Sequence, residues 1–189
     1  MGKANGRAGA CILVFMALAV AGAQARGDDA VPARSIASAQ DFLSQVLPGN
    51  GYVSTMMSEI VDKARRQGLR AGFEPVPEIF DADPVAECRS MLLADIEPTD
   101  LVVRDPGTGD AAVSSLAAMV QDRMVGSTDG FHFGSIRQTR LAGSRVHLRF
   151  AGEQLDAVVH LEGEEIAARV HAAFDYLRRH CDPAAATGF

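Results

Sequence analysis

Positive charge is scarce in this chain, and lysine scarcer still: Lys3 and Lys63 are the only two. Eighteen Lys and Arg stand against 24 Asp and Glu, for a formal charge of −6 at neutral pH. An acidic surface of this kind disfavours nucleic acid and anionic membrane as partners. The preference for Arg over Lys, with abundant Ala and Gly, reads as GC-rich coding and carries no function. Catalytic signatures are also missing: the chain past residue 25 holds no H-E-x-x-H, no G-x-S-x-G and no Ser-x-x-Lys. Residues 126–130 read G-S-T-D-G, with Thr at the centre, and are more simply a turn. Past residue 25 no apolar run reaches the ~20 residues of a membrane-spanning helix, so no transmembrane anchor is expected.

The first 25 residues are read as a secretory signal peptide. Lys3 and Arg7 form a basic start, residues 11–23 are small or apolar, and Ala23-Gln24-Ala25 supplies an A-x-A cleavage site. Cys11 precedes the apolar core rather than following it, which argues against lipid attachment there. Cleavage removes two basic residues and leaves a more acidic chain, expected in the periplasm or secreted. The same cut leaves Cys88 and Cys181, and an even pair in a small exported domain points to a disulfide. Closing a loop that spans more than half of the domain, such a bridge is worth about 4 to 5 kcal/mol in the chain-entropy model.

Patterning divides the rest into a leader and helical region (26–71), a Pro-rich connector (72–84) and an α+β domain (85–189). Ser35 or Ser38 caps a short helix with Phe42, Leu43, Val46 and Leu47 on one face, ended by Pro48, Gly49 and Asn50. A second helix runs over about 54–67, with Met57, Ile60, Val61 and Ala64 at helical spacing. Residues 85–94 fit either helix or strand. Residues 101–104 suit a strand, D-P-G-T-G-D at 105–110 a turn, and Asp110 is expected to cap a helix to about 125, with Val113, Leu116, Ala117 and Val120 inward. From 131 the pattern becomes an antiparallel meander: 131–136, then 145–150 with Val146, Leu148 and Phe150 inward, then 154–161 with Leu155, Ala157, Val159 and Leu161 inward. Residues 163–181 form the strongest helix, with Glu164 and Glu165 at its start, Arg178, Arg179 and His180 at its end, and a stripe of Ile166, Val170, Phe174, Leu177 and Cys181. The expected fold class is α+β, N-terminal helices followed by an antiparallel sheet closed by an amphipathic C-terminal helix.

The sheet and closing helix at 130–181 resemble the second half of pleckstrin-homology-like domains, without a diagnostic motif. The ending, with Cys181-Asp182-Pro183 and the terminal Thr187-Gly188-Phe189, is similar to small exported bacterial proteins of unassigned function. That resemblance implies export and a structural role for the cysteines, and no catalytic residue.

Five histidines at 132, 147, 160, 171 and 180 are too scattered for a zinc site, although His147 and His160 could approach each other across the meander. No metal or cofactor is expected. The acidic groups Asp81/Asp83, Asp105/Asp110 and Glu162/Glu164/Glu165 match no calcium loop and read as turn, cap and dipole residues. One feature stands out on an acidic chain: the basic stripe Arg137, Arg140, Arg145, His147 and Arg149. It is either a solvated sheet face paired with Asp156 and other local acids or a surface for an anionic envelope partner. The favoured function is a non-catalytic binding or accessory protein, for example one sequestering an envelope enzyme or toxin as an immunity protein does. An envelope enzyme acting on cell-wall material would instead gather His132, Asp129 or Glu162 in a pocket. A structural or assembly factor would expose an apolar patch near Phe42, Leu43, Met56 and Met57.

Overall fold

A computed structural model describes residues 35–119 and 131–182. The expected signal peptide and leader (1–34), the 120–125 end of the third expected helix, the expected 126–130 turn with Asp129, and the Thr187-Gly188-Phe189 terminus lie outside the described residues. The described residues belong to one compact unit.

The chain enters through α1 (Ile36–Val46), which Ser35 caps reciprocally with Ser38: each side chain accepts the other residue's backbone N–H. Then come β1 (Gly51–Val53), α2 (Thr55–Arg66, capped by Ser54), β2 (Arg70–Glu74), β3 (Glu78–Asp81), β4 (Pro84–Ala86), β5 (Arg89–Ser90) and β6 (Leu93–Asp95). β7 (Asp100–Arg104), β8 (Ala111–Ser115) and the single turn α3 (Leu116–Met119) follow. After residue 130 the order is β9 (Phe131–His132), a 3-10 turn over Phe133–Ser135, β10 (Ile136–Ala142), β11 (Arg145–Phe150), β12 (Ala157–His160) and α4 (Glu164–His180). The fold is α+β, and every strand pairing is antiparallel.

The main sheet runs β10-β11-β12-β1-β3-β6, with no closed barrel among the described strands. Its inner face buries Tyr52, Ile79, Val146, Leu148, Ala157 and Val159 against Ala167, Val170, Phe174 and Leu177 of α4 and Leu43 of α1. Each large side chain so buried contributes about 1.5–3 kcal/mol of transfer free energy. The β10–β11 hairpin turns on two residues, and Gly143, at φ +58°, takes the position a II′ turn reserves for glycine. A second, smaller core joins Met57 of α2 to Phe73, Leu101 and Leu116 under the three-stranded sheet β2-β7-β8.

Cys88 and Cys181 form a disulfide, with Cα atoms 5.4 Å apart. Cys88 sits at φ +62° in the tight β4–β5 turn. Gln40 of α1, 2% exposed, holds that turn: its Nε2 donates to the carbonyls of Ala86 and Arg89 (3.0 and 2.9 Å), and its Oε1 accepts from Cys88 N–H at 3.2 Å. A polar side chain this deep is tolerated because both ends of its amide are satisfied.

Several expectations are corrected. Residues 72–84 are extended but not free: they hold the end of β2 and all of β3, which lies inside the main sheet. Residues 85–94, compatible with helix or strand by pattern, are short strands. Asp110 caps no helix. The Asp105-to-Asp110 turn, closed by Asp105 N–H on the Asp110 carbonyl, returns the chain beside β7, and Ala111–Ser115 pairs with it along five positions. Val113, expected inward, is 61% exposed, whereas Leu116 is buried as expected. The strand expected over 131–136 breaks after His132, because a 3-10 turn seats Gly134 beneath the Cys181 carbonyl.

Candidate functional site

The outer face of the main sheet carries the residues of interest. Register places them in rows, because directly opposed residues in an antiparallel ladder share a face. One row runs Arg140, His147, Val158 and Val53 across β10, β11, β12 and β1. The adjacent row runs Ala142, Arg145, His160 and Gly51. Arg149 lies beyond His147 toward the far end of β11, opposite Gln138.

This face is not open to solvent throughout. Helix α2 crosses above it, tied down by Ser58 Oγ, which donates to the Asp156 carbonyl at 2.7 Å. Between them lies a cleft of about 510 Å³. Its polar lining includes Asp62 and Arg65 from α2 and Arg140, Arg145, His147 and His160 from the sheet. Its apolar lining includes Val53, Val61, Phe73, Val76 and Val158. A hollow of about 890 Å³ between α1, β4 and the end of α4 is larger, but it carries Asp41 and Glu87 and no arginine. The smaller one is the better candidate, since it collects the cations of an acidic chain.

Asp156, at the head of β12, organises part of the stripe. Its carboxylate lies 2.5 Å from Arg149 Nε, 3.5 Å from His147 Nδ1 and 3.6 Å from Arg140 Nη2. Three of the five expected residues are therefore gathered on one acid. Arg137 leaves the group: it sits at the irregularity between Ile136 and Gln138 and reaches toward Asp182, 4.0 Å away. Arg145 has no ion pair among the described residues, and neither has Arg65. Asp62, the acid nearest Arg65 in sequence, is bound to Arg66 at 3.1 Å. Two guanidinium groups at the cleft thus have no carboxylate partner among the described residues.

Both cleft histidines are held neutral. Burial pushes His147 below the usual imidazole range, Arg140 and Arg145 add to the effect, and Asp156 opposes it. Burial, then Arg145 and His147, push His160 the same way. In the unfolded chain both take up protons near pH 6.5. Between that value and their lower folded values the unfolded state binds more protons, so stability is full above about 6.5 and declines as pH falls through the folded values. The charged groups around this pair are Arg140 on β10, Arg145 on β11, Asp156 before β12, and Asp62 and Arg65 on α2. Urea midpoints between pH 7.5 and 5 are expected to fall faster for the wild type than for a His147→Gln/His160→Gln variant. Parallel curves would show that these two histidines are not shifted.

Ser58, His147 and Asp156 line the cleft together, the composition of a hydrolase triad. Among the described residues no hydrogen bond joins Ser58 to His147, and the serine hydroxyl is committed to the Asp156 carbonyl.

The other sequence candidates have local duties. His132 Nδ1 accepts from Gly134 N–H, His171 meets Thr139 Oγ1 at 3.2 Å, and His180 stacks on Tyr176. Asp81 and Asp105 each accept a backbone N–H two residues on, and Glu164 and Glu165 occupy the first turn of α4. Glu162 is exposed beside α1's end, away from the cleft. No group of three or more metal-binding side chains occurs among the described residues. Leu43 and Met57 are buried, Phe42 and Met56 half-buried, and Arg169 lies over the Phe42 ring, so these four form no broad exposed patch. Among the described residues no helix is long and apolar enough to cross a membrane.

Sequence reasoning did not single out Asp62 and Arg65, because nothing in their spacing signals that this side of α2 roofs a sheet. No known family model matches the chain, and no curated protein or solved structure matches it either, so the chemistry of the cleft stands on these residues alone.

Proposed function

We propose that this chain is a non-catalytic exported binding protein that engages an anionic group of an envelope partner through the cleft beneath α2. Sequestering an envelope enzyme or toxin, as an immunity protein does, is the form of this function that suits a small domain with a disulfide. The observation that carries the reading is the pair of arginines, Arg145 and Arg65, that border the cleft with no ion pair among the described residues. Asp156 pairs with Arg140, His147 and Arg149 and offsets one of the two guanidinium charges there, whereas Arg145 has no ion pair among the described residues. A guanidinium offers paired donors matched to a carboxylate or phosphate, and charge complementarity sets specificity and encounter rate.

Affinity capture with the oxidised protein exported in its own host tests this. Wild-type protein is expected to retain a partner that Arg145→Glu loses, with both proteins melting at the same temperature. Equal retention by the two would remove the cleft from recognition.

A further inference from the structure

The cleft is chemically graded along one direction. Crossing the sheet from β10 toward β1, the lower row passes from Arg140 and His147 to Val158 and then Val53. The adjacent row passes from Arg145 and His160 to Gly51, over which the Val76 side chain packs closely. Above the apolar end, Val61, Phe73 and Val76 supply the roof and wall. One end is therefore cationic and the other apolar, within a volume of the size that small-molecule sites occupy.

We infer that the cleft binds a small amphipathic carboxylate, its head group on Arg145 and its apolar body over Val158 and Val53 beneath α2. This rests on the binding reading above and names the ligand class of the same site. A single carboxylate accounts for Arg145, which has no ion pair among the described residues. A short apolar chain suits the half-buried Val158 of β12 and, beside it, Val53 of β1, which also packs against the second core beneath α2. A cationic amphiphile would place its charge against Arg145, and a compact anion such as acetate would leave the apolar end unfilled. Asp156 does not compete for the ligand's place, because Arg149, His147 and Arg140 surround its carboxylate. Binding of an anion beside two neutral imidazoles also favours their protonation, so affinity is expected to rise as pH falls from 7.5 toward 5.5.

Titration calorimetry with dodecanoate, kept below its micelle concentration, on the full oxidised protein tests the inference. One dodecanoate per chain is expected, with acetate and dodecyltrimethylammonium each at least tenfold weaker. Arg145→Glu should weaken dodecanoate about tenfold or more, and Arg145→Gln by less, giving a second reading if the reversed charge impairs folding. Val158→Glu should weaken it as well, by opposing the apolar body. The inference is overturned if dodecanoate does not bind, if dodecyltrimethylammonium binds as well, or if both Arg145 variants bind like the wild type. Partner capture that depends on Arg145 without any dodecanoate binding would overturn this ligand class while leaving the broader recognition role standing. Dodecanoate binding with capture indifferent to Arg145 would do the reverse.

Discussion

Replacing Cys88 and Cys181 together by serine is expected to destabilise the domain by about 4 to 5 kcal/mol, the chain-entropy value for a loop of 93 residues. For a domain of this size that corresponds to a fall in melting temperature of about 10 to 20 °C. The bridge joins two places that local structure holds weakly. Cys88 lies in a turn between strands of three and two residues, and Cys181 lies at the last residue after α4. Without the bridge the turn keeps the Gln40 amide bonds, the Phe133 N–H on the Cys88 carbonyl and the short β4–β5 and β5–β9 pairings. The helix keeps its buried stripe, so α4 should stay docked while the β4–β5 turn loosens. Thermal unfolding of the oxidised protein against the double-serine variant measures the first effect. Hydrogen exchange at residues 84–90 against 166–177 measures the second. A shift below about 3 °C would mean that the unfolded chain is already compact enough to make the bridge redundant.

The next largest expected effect is at Gly134. A β-carbon built there falls 2.2 Å from the backbone carbonyl oxygen of Cys181 and 2.9 Å from its carbon. No rotamer relieves a contact between two backbone-fixed atoms, so the 3-10 turn or the end of α4 has to move. Gly134→Ala is expected to cost about 3 kcal/mol, the upper part of the range for overpacking. Because the blocked atom belongs to a disulfide cysteine, the two effects should be coupled. In the double-serine background the end of α4 is freer to shift, and the same substitution should cost less than half as much. Chemical denaturation of the four proteins in this cycle gives the coupling directly. Additive costs would show that α4's end is held by its own packing rather than by the bridge.

Much of this fold was legible because its strongest elements are specified locally. Residues 164–180 carry a complete set of helix signals: acids at the start, bases at the end and an apolar stripe at helical spacing. Strands β11 and β12 alternate cleanly, and Val146, Leu148, Ala157 and Val159 are buried as expected, whereas Phe150 is half-buried and Leu155, expected inward, lies ahead of β12 and lines the cleft. β1 and β8 were not legible. Three residues, Gly51 to Val53, are too few to show a period, yet they join the C-terminal meander to β3 in one sheet. Ala111 to Ser115 has no periodic face and is exposed at every position, so its state depends on β7 alongside it.

The candidate site divides in the same way. Alternation along β11 put Arg145, His147 and Arg149 on one face, and the even cysteine pair announced the disulfide; both follow from period and count, which a linear chain carries in full. What lies over that face is a long-range property. Ser58 and Asp156 are 98 residues apart, and their contact, with the core that joins Met57 to Phe73 and Leu101, holds α2 across the sheet to make a cleft. Tertiary structure also sorted the stripe, committing Arg140, His147 and Arg149 to Asp156, turning Arg137 toward Asp182 and leaving Arg145 beside an apolar wall. A sequence states which side of a strand a residue takes, because the pleat has a period of two. The partner met on that side is decided by register and by which element crosses above, and neither is written in the residue's own neighbourhood.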